Sequence, residues 1–506
     1  MRRCLACVMI VLLVFVAPAF PAGAAGFELP EGTQLSAQSV YIVNLDTGLC
    51  VYEQNADEKR SVASLTKLMT ALLLIENVED LEGTYISGGT ALYTEEITDP
   101  QASNADILPN EEVRVIDLLY AMMLPSANEA AKNVGYFLGN GDLNNFYALM
   151  NARAAELGCT NTNFTSANGL ADMDEGNYST ARDIFLIAQE CWKHEIFRTV
   201  VGTPLYWMPL TNKHTTAEFP EQNPDAAYFI TNSNAMIKEA SGDMYRSYIK
   251  GIKTGSTYDA GRNFVSAAVN EAGESFIGVV LGCPWDPAED GYALSFHDTA
   301  TLYDWIFSSF SVRPTLSTDT PIHEVAVTHS AETDTLALVP ADNLATILPN
   351  DSDDALQQTF DVPESVEAPI QKGDKIGTVT VSLSGEVIGT VDLLAAQDVA
   401  LNPVLYAFSR LKAFFTSTYM CVVYVLTALF ALFYAGLYAW LHDASKARRA
   451  KTMPARGQTA AVRPGRRAAR RAPRPKGADT PLSRPAPRAG DLCPATAPGL
   501  LGGGPQ

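Results

Sequence analysis

From Tyr419 to Leu441 the chain runs without a charged residue, long enough to cross a bilayer as a helix. Tyr419, Tyr438 and Trp440 sit at the edges of this stretch, and a tail rich in Arg, Pro and Ala follows it. From residue 441 onward there are 14 Lys+Arg and 3 Asp+Glu, a balance of +11, which leaves −32 on residues 1–440 out of a chain total of −21. By the positive-inside rule, that asymmetry puts the tail in the cytoplasm and everything before the span outside. The tail has many prolines and no interleaved aromatics, so it reads as solvated disorder beside the inner membrane face. The acidic outer part argues against nucleic acid as its partner.

The other end carries a second address. Residues 1–25 open with Arg2 and Arg3, continue through the apolar run Val8 to Val16 and finish in Ala22-Gly23-Ala24-Ala25. That is the pattern of a secretory signal cleaved near Ala24 or Ala25, taking Cys4 and Cys7 with it. With Cys421 in the span and Cys493 in the tail, four cysteines remain outside: Cys50, Cys159, Cys191 and Cys283. Their wide spacing suits neither a zinc site nor a disulfide scaffold, which makes buried free thiols the expectation. The six histidines are scattered without an HExxH. No metal and no cofactor are expected.

Signal and span enclose roughly 400 residues, enough for one large domain and a smaller one. The first, 27–312, alternates strand and helix signals. Val40 to Asn44 and Leu49 to Glu53 flank the hairpin turn Asp46-Thr47-Gly48. Leu65, Leu68, Met69, Leu72 and Leu73 place a deeply sunk helix over Ser64 to Glu76. Further helices are read at Val115 to Met123, Asn128 to Phe137, Thr180 to Trp192 and His297 to Phe307. Tyr248 to Lys253, Phe264 to Val269 and Phe276 to Leu281 form an antiparallel meander. The sum is an α/β architecture with a helical insertion between two halves of a sheet. The second domain, 315–400, is small and β-rich, with its clearest hairpin at Ile376 to Leu383 and Val387 to Leu393. It holds no convergent polar cluster and suits a spacer or docking role. An amphipathic linker, 404–417, leads to the span at 418–441, and the basic tail occupies 442–506.

Within the larger domain three motifs stand in order: Ser64-Leu65-Thr66-Lys67, Ser126-Ala127-Asn128 and Lys253-Thr254-Gly255. Each alone is cheap, since an SxxK occurs by chance about once in a chain of this size. Ser247 to Lys250, Ser409 to Lys412 and Ser166-Ala167-Asn168 are decoys of the same form. Order and spacing together point to serine acyl transfer with lysines as proton carriers. Ser64 and Lys67 at i and i+3 share a helix face. Lys67 accepts the serine proton only if its pKa is depressed, and burial and the charge of Lys253 both act in that direction. The rival for Ser126 and Asn128 is an ordinary helix cap; as functional groups they relay a proton and hold the substrate amide. Lys253 and Thr254, ending a strand, suit a substrate carboxylate, Gly255 lets a substrate backbone approach, and the amides of Ser64 and Ser256 form an oxyanion-binding pair. Arg246 and Arg262 flank this strand as further candidates for the carboxylate.

Over about residues 30–400 the chain resembles the low-molecular-mass penicillin-binding proteins, the D-alanyl-D-alanine carboxypeptidases of peptidase family S11. The resemblance rests on Ala63 to Thr70, Leu118 to Ala131, Tyr178 to Asp183 and Gly251 to Gly255, with Ala368 to Gly373 and Val391 to Val399 matching the family's C-terminal β-domain. It implies a penicillin-binding/serine β-lactamase-like fold. It also implies removal of the terminal D-alanine from peptidoglycan stem pentapeptides through an acyl-enzyme on Ser64, and acylation by β-lactams. Lys67 is then the base, Ser126 and Asn128 the second motif, and Lys253 with Thr254 the carboxylate contact. The chain departs at Asn161 to Phe164, where members often carry His, and at Ser166, where Asn is common. Many relatives also end in an amphipathic helix lying on the membrane instead of a span.

A class A β-lactamase adds a deacylating glutamate in ExxLN; the nearest segment, Asn140 to Asn144, has Asn in its place. A DD-endopeptidase uses the same residues and stays open. A non-catalytic wall-binding membrane protein has no need of nucleophile, base and relay together.

Overall fold

The computed structural model describes residues 27–94, 102–171, 173–285, 293–350, 356–383 and 385–450. The expected signal segment and the tail from 451 onward lie outside the described residues.

A five-stranded antiparallel sheet is assembled from both ends of the first domain. Strands β1 (Ser39–Asn44), β2 (Cys50–Gln54), β3 (Ile249–Thr257), β4 (Gly261–Val269) and β5 (Ser275–Cys283) lie in the order β2-β1-β5-β4-β3. The expected Asp46-Thr47-Gly48 turn joins β1 to β2, with the Asn44 side chain accepting from the Thr47 amide at 2.9 Å. Residues 55–248, which hold the helices between Lys67 and Val201, are inserted between β2 and β3, so the sheet closes only when β5 pairs with β1. β3 ends at the edge of the sheet.

The first helix, α1 (Lys67–Asn77), is buried from Lys67 through Leu74, as expected of a helix apolar all round. Its entry differs from the expectation: Ala63–Thr66 is a separate 3-10 turn, so Ser64 precedes the α-helix. Around α1 pack α2 (Val115–Met123), α3 (Asn128–Leu138), α4 (Leu143–Glu156), α5 (Ala181–Lys193) and α6 (Glu195–Val201). Thr180 caps α5 by accepting from the Asp183 amide at 3.1 Å. On the other sheet face α7 (Ala293–Ser309) buries Phe296, Leu302, Tyr303 and Ile306 against Phe264, Phe276 and Val280. The four cysteines Cys50, Cys159, Cys191 and Cys283 are buried and unpaired, as expected.

Beyond α7, helix gives way to strands. Phe310–Leu316 pairs with Leu344–Pro349, and a six-stranded sheet follows around the hairpin Lys375–Leu383 with Glu386–Ala395. Its core of Leu336, Leu338, Val379, Val381 and Leu393 is its own. Helix α8 (Pro403–Thr416) buries no residue and exposes Leu405, Phe408, Leu411, Phe414 and Phe415. A separate unit begins at Thr416. Its helix α9 (Thr418–Ala450) is long and apolar enough to cross a bilayer and runs past the expected end at Leu441.

Candidate active site

The three motifs meet where the 3-10 turn Ala63–Thr66 lies against β3 and the start of α3. Gly255 makes the approach possible: a Cβ there would stand 3.0 Å from the Val62 carbonyl oxygen and 3.1 Å from the Leu65 amide. Two residues of the site hold left-handed backbone without being glycine, Ala63 at φ 49° and Ser126 at φ 70°. Such conformations are costly and persist when the surroundings impose them.

Lys67 is fully buried. Its Nζ stands 2.8 Å from Ser64 Oγ, 2.9 Å from Asn128 Oδ1 and 2.8 Å from the Asn168 carbonyl oxygen. Burial lowers its pKa well below the usual lysine value, and the charge of Lys253 lowers it further, against an opposing pull from Glu129. Ser126 Oγ is buried and makes no hydrogen bond. Helix α3 starts from Ala127 with no side chain capping it, so Ser126 and Asn128 are not the ordinary caps that their residue types suggest.

Lys253 is also buried, which brings its pKa down to about 7. Its Nζ donates to the Thr254 carbonyl at 2.9 Å. The motif does not end its strand, as the sequence suggested, but lies within β3, which continues through Ser256 to Thr257. Ser256 sits opposite Arg262 on β4. Both flanking arginines have protein partners. Arg246 donates to the carbonyls of Asp243 and Tyr245, and the Arg262 guanidinium stacks 3.5 Å from the centre of the Trp285 ring.

Four contributors were not legible as motifs. Asn168 belongs to the decoy Ser166-Ala167-Asn168, and it enters through its main-chain carbonyl, which no side-chain pattern signals. Gly169 follows at φ +82°, its Cα pressed against the Ala63 carbonyl. Ser233, two residues beyond the strand Ala226–Thr231, shares a 2.6 Å hydrogen bond with the Thr254 hydroxyl. Glu129, beside Asn128, is buried with its pKa raised by desolvation, and accepts from the Ala105 amide at 2.6 Å.

Ser64, the buried Lys67 amine and the buried Lys253 thus come together where the Ala63–Thr66 turn meets β3. The family model of D-alanyl-D-alanine carboxypeptidase, peptidase S11, matches residues 27–284. The chain belongs to that family. Residues 310–401 match the C-terminal domain of penicillin-binding protein 5. Among curated S11 relatives, the D-alanyl-D-alanine carboxypeptidase DacF of Bacillus subtilis is 26% identical over 79% of this chain and 95% of its own length. The D-alanyl-D-alanine carboxypeptidase of Streptomyces sp. K15 is 32% identical over 51% of this chain and 85% of its own. The crystal structure of penicillin-binding protein 5 from Haemophilus influenzae shares the fold with a TM-score of 0.55 at 24% identity, covering 74% of this chain and all of that one. The α/β domain followed by an all-β domain is therefore the penicillin-binding protein 5 arrangement, and the chain is a D-Ala-D-Ala carboxypeptidase of the S11 type.

Proposed function

We propose that this S11 protein removes the terminal D-alanine of peptidoglycan stem pentapeptides through an acyl-enzyme on Ser64, and that β-lactams acylate the same serine. One observation carries the reading. Lys67 Nζ has three neighbours: two, Asn128 Oδ1 and the Asn168 carbonyl, can only accept, while the third, the Ser64 hydroxyl, can donate. A neutral amine has two N–H groups and one lone pair. An ammonium would fit this set by donating three times and a neutral amine by donating twice and accepting from Ser64; the burial that lowers the Lys67 pKa favours the neutral form, the state a general base requires.

The terminal carboxylate of the substrate is held by Lys253 and by the Thr254 hydroxyl, oriented by Ser233. Gly255 gives the peptide room beside β3, and the amides of Ser64 and Ser256 face the developing oxyanion. Ser64 Oγ bonds to the scissile carbonyl carbon as its proton passes to Lys67, and the carbonyl electron pair moves to oxygen. On collapse the C–N bond breaks, and the departing amine takes the proton from Lys67 by way of Ser126. Water then attacks the ester carbon, giving a proton to Lys67 that returns to Ser64 Oγ. Asn128 holds Lys67 and reaches the substrate amide.

Residues 1–25 act as the export signal and α9 as a single membrane span. The catalytic domain 27–312 and the β-rich domain 315–400 lie outside, with the basic tail in the cytoplasm.

The test is a fluorescent penicillin applied to membranes, with mass spectrometry of muropeptides after digestion. Wild type is labelled and removes one D-alanine from pentapeptides, while Ser64→Ala does neither. Labelling of Ser64→Ala would overturn the assignment, and loss of crosslinks without loss of D-alanine would make the protein an endopeptidase.

A further inference from the structure

The decoy Ser247 to Lys250, which the catalytic site leaves unused, lies on the wall of a separate cavity of about 460 Å³. The cavity sits where the end of α5, helix α6 and the start of β3 come together. Gly202 marks how closely they approach: an added Cβ there would stand 3.1 Å from the Arg198 carbonyl oxygen and 3.3 Å from that of Lys250. A volume of this size is in the range of small-molecule sites.

The polar lining is one-sided. Trp192, Arg198, Tyr245, Ser247 and Lys250 supply it, and each of these side chains can donate a hydrogen bond. Among the described residues no carboxylate or amide side chain lines the cavity. Its two cations are held by main chain. Arg198 Nη1 donates to the Trp192 and Lys193 carbonyls at the end of α5, and Lys250 Nζ donates to the Ser247 carbonyl at 2.7 Å. Two more cations stand next to lining residues in the chain and are held in the same way. Arg246 donates to the carbonyls of Asp243 and Tyr245, and Lys238 Nζ to that of Asn232 at 2.7 Å. Among the described residues none of the four forms an ion pair, whereas Arg114, Arg153 and Arg182 all pair with carboxylates. Glu195, Glu239 and Asp243 are near in the chain and do not join the lining. In an outer part as acidic as this one, a cavity with donors and cations only is suited to an anion.

Charge and donor number narrow the class of anion. A carboxylate brings one charge and two oxygens. A phosphate monoester brings about −1.5 to −2 at neutral pH and three acceptor oxygens, which answers two cations and the neutral donors beside them. Arg198 uses one of its nitrogens on the α5 carbonyls, and a guanidinium fork suits phosphate geometry. The half-buried rings of Trp192 and Tyr245 combine apolar faces with polar edges, a surface for the carbon body that carries the phosphate.

We propose that this cavity is a second binding site that takes a soluble phosphate monoester of a sugar or polyol, with Arg198 and Lys250 on the phosphate and Trp192 and Tyr245 against the carbon body. The experiment is isothermal titration calorimetry on the full-length protein in a neutral detergent at fixed ionic strength. Glucose 6-phosphate, glycerol 3-phosphate and inorganic phosphate are compared with glucose and acetate, and with nanodiscs containing phosphatidic acid. Both esters are expected to bind more tightly than inorganic phosphate, and glucose and acetate to give no heat. Lys250 is exposed and its ammonium touches only a carbonyl, so Lys250→Gln keeps the fold and weakens the esters about tenfold, the usual cost of a lost hydrogen bond to a charged group. Lys250→Arg retains binding. No heat from either ester, acetate binding as well as they do, or unchanged affinity in Lys250→Gln overturns the site. Inorganic phosphate binding as tightly as the esters overturns the sugar or polyol assignment, and binding confined to the nanodiscs overturns the soluble ligand in favour of a lipid headgroup.

Discussion

Replacing Gly169 by Ala perturbs the nucleophile without touching any side chain of the site. The new Cβ would stand 1.9 Å from the Ala63 carbonyl oxygen and 3.0 Å from the Ser64 amide nitrogen. Restoring ordinary contact moves main chain by about 1.5 Å, and both neighbours are backbone, with no flexible side-chain end to yield. The left-handed conformation, φ +82°, adds about 1–2 kcal/mol for a residue with a Cβ. The displaced group includes the Ser64 amide, one of the two proposed oxyanion donors, and loss of such a donor costs about 10²–10³ in rate. We expect acylation by benzylpenicillin, followed by stopped-flow fluorescence, to slow about 10²-fold, the usual cost of a 1 Å misplacement. The matched control is Gly158→Ala: Gly158 is left-handed too, at φ +85°, but nothing lies within 4 Å of the added Cβ. It pays the conformational cost alone, so it should lower the melting temperature and leave acylation unchanged. An acylation rate for Gly169→Ala within about threefold of wild type would refute the reasoning, because the displacement predicts far more.

The acylation rate should rise as pH climbs through the depressed pKa of Lys67 and level off well below 10.5, the ordinary lysine value. Asn128→Asp puts a carboxylate where Oδ1 now stands 2.9 Å from Lys67 Nζ; an opposite charge at that range raises the pKa by about 1–3 units, moving the ascending limb of the pH–rate profile up by as much. A limb that stays in place would mean that the two groups do not touch in the working enzyme. Ser233→Ala removes the 2.6 Å partner of the Thr254 hydroxyl. A net hydrogen bond of about 1 kcal/mol corresponds to about a fivefold rise in KM for a D-Ala-D-Ala peptide with kcat little changed, and steady-state kinetics showing the reverse would place Ser233 in the chemical step.

Local periodicity made much of this fold readable. α2 and α3 were placed to within a residue because Pro125 separates two apolar helical patterns, and the β1–β2 hairpin because Asp46-Thr47-Gly48 has no other use. The pairing of β5 with β1 was not readable in register, since it joins segments more than 200 residues apart and only the closed sheet decides it. The run of β3 beyond Lys253 was missed for a related reason. Thr254 to Thr257 is polar and looks like a turn, yet its pairing with Gly261 to Phe264 extends the ladder. At the site, Ser64, Lys67, Asn128 and Lys253 were identified from side-chain chemistry. Asn168 looks like a decoy in the sequence because its contribution is a carbonyl, which every residue has. Glu129 and Ser233 went unnoticed because a carboxylate or hydroxyl beside a motif looks like any surface residue until burial is known.

The four interior cysteines carry a consequence for handling this protein. Desolvation pushes Cys50, Cys159 and Cys283 up to about 12 and Cys191 well above its ordinary value, so at neutral pH none of them offers a thiolate to an oxidant, an alkylating probe or another thiol. The domain that carries Ser64 is thus indifferent to the redox poise of the compartment it enters, and the remaining described cysteine, Cys421, lies on the apolar helix outside it.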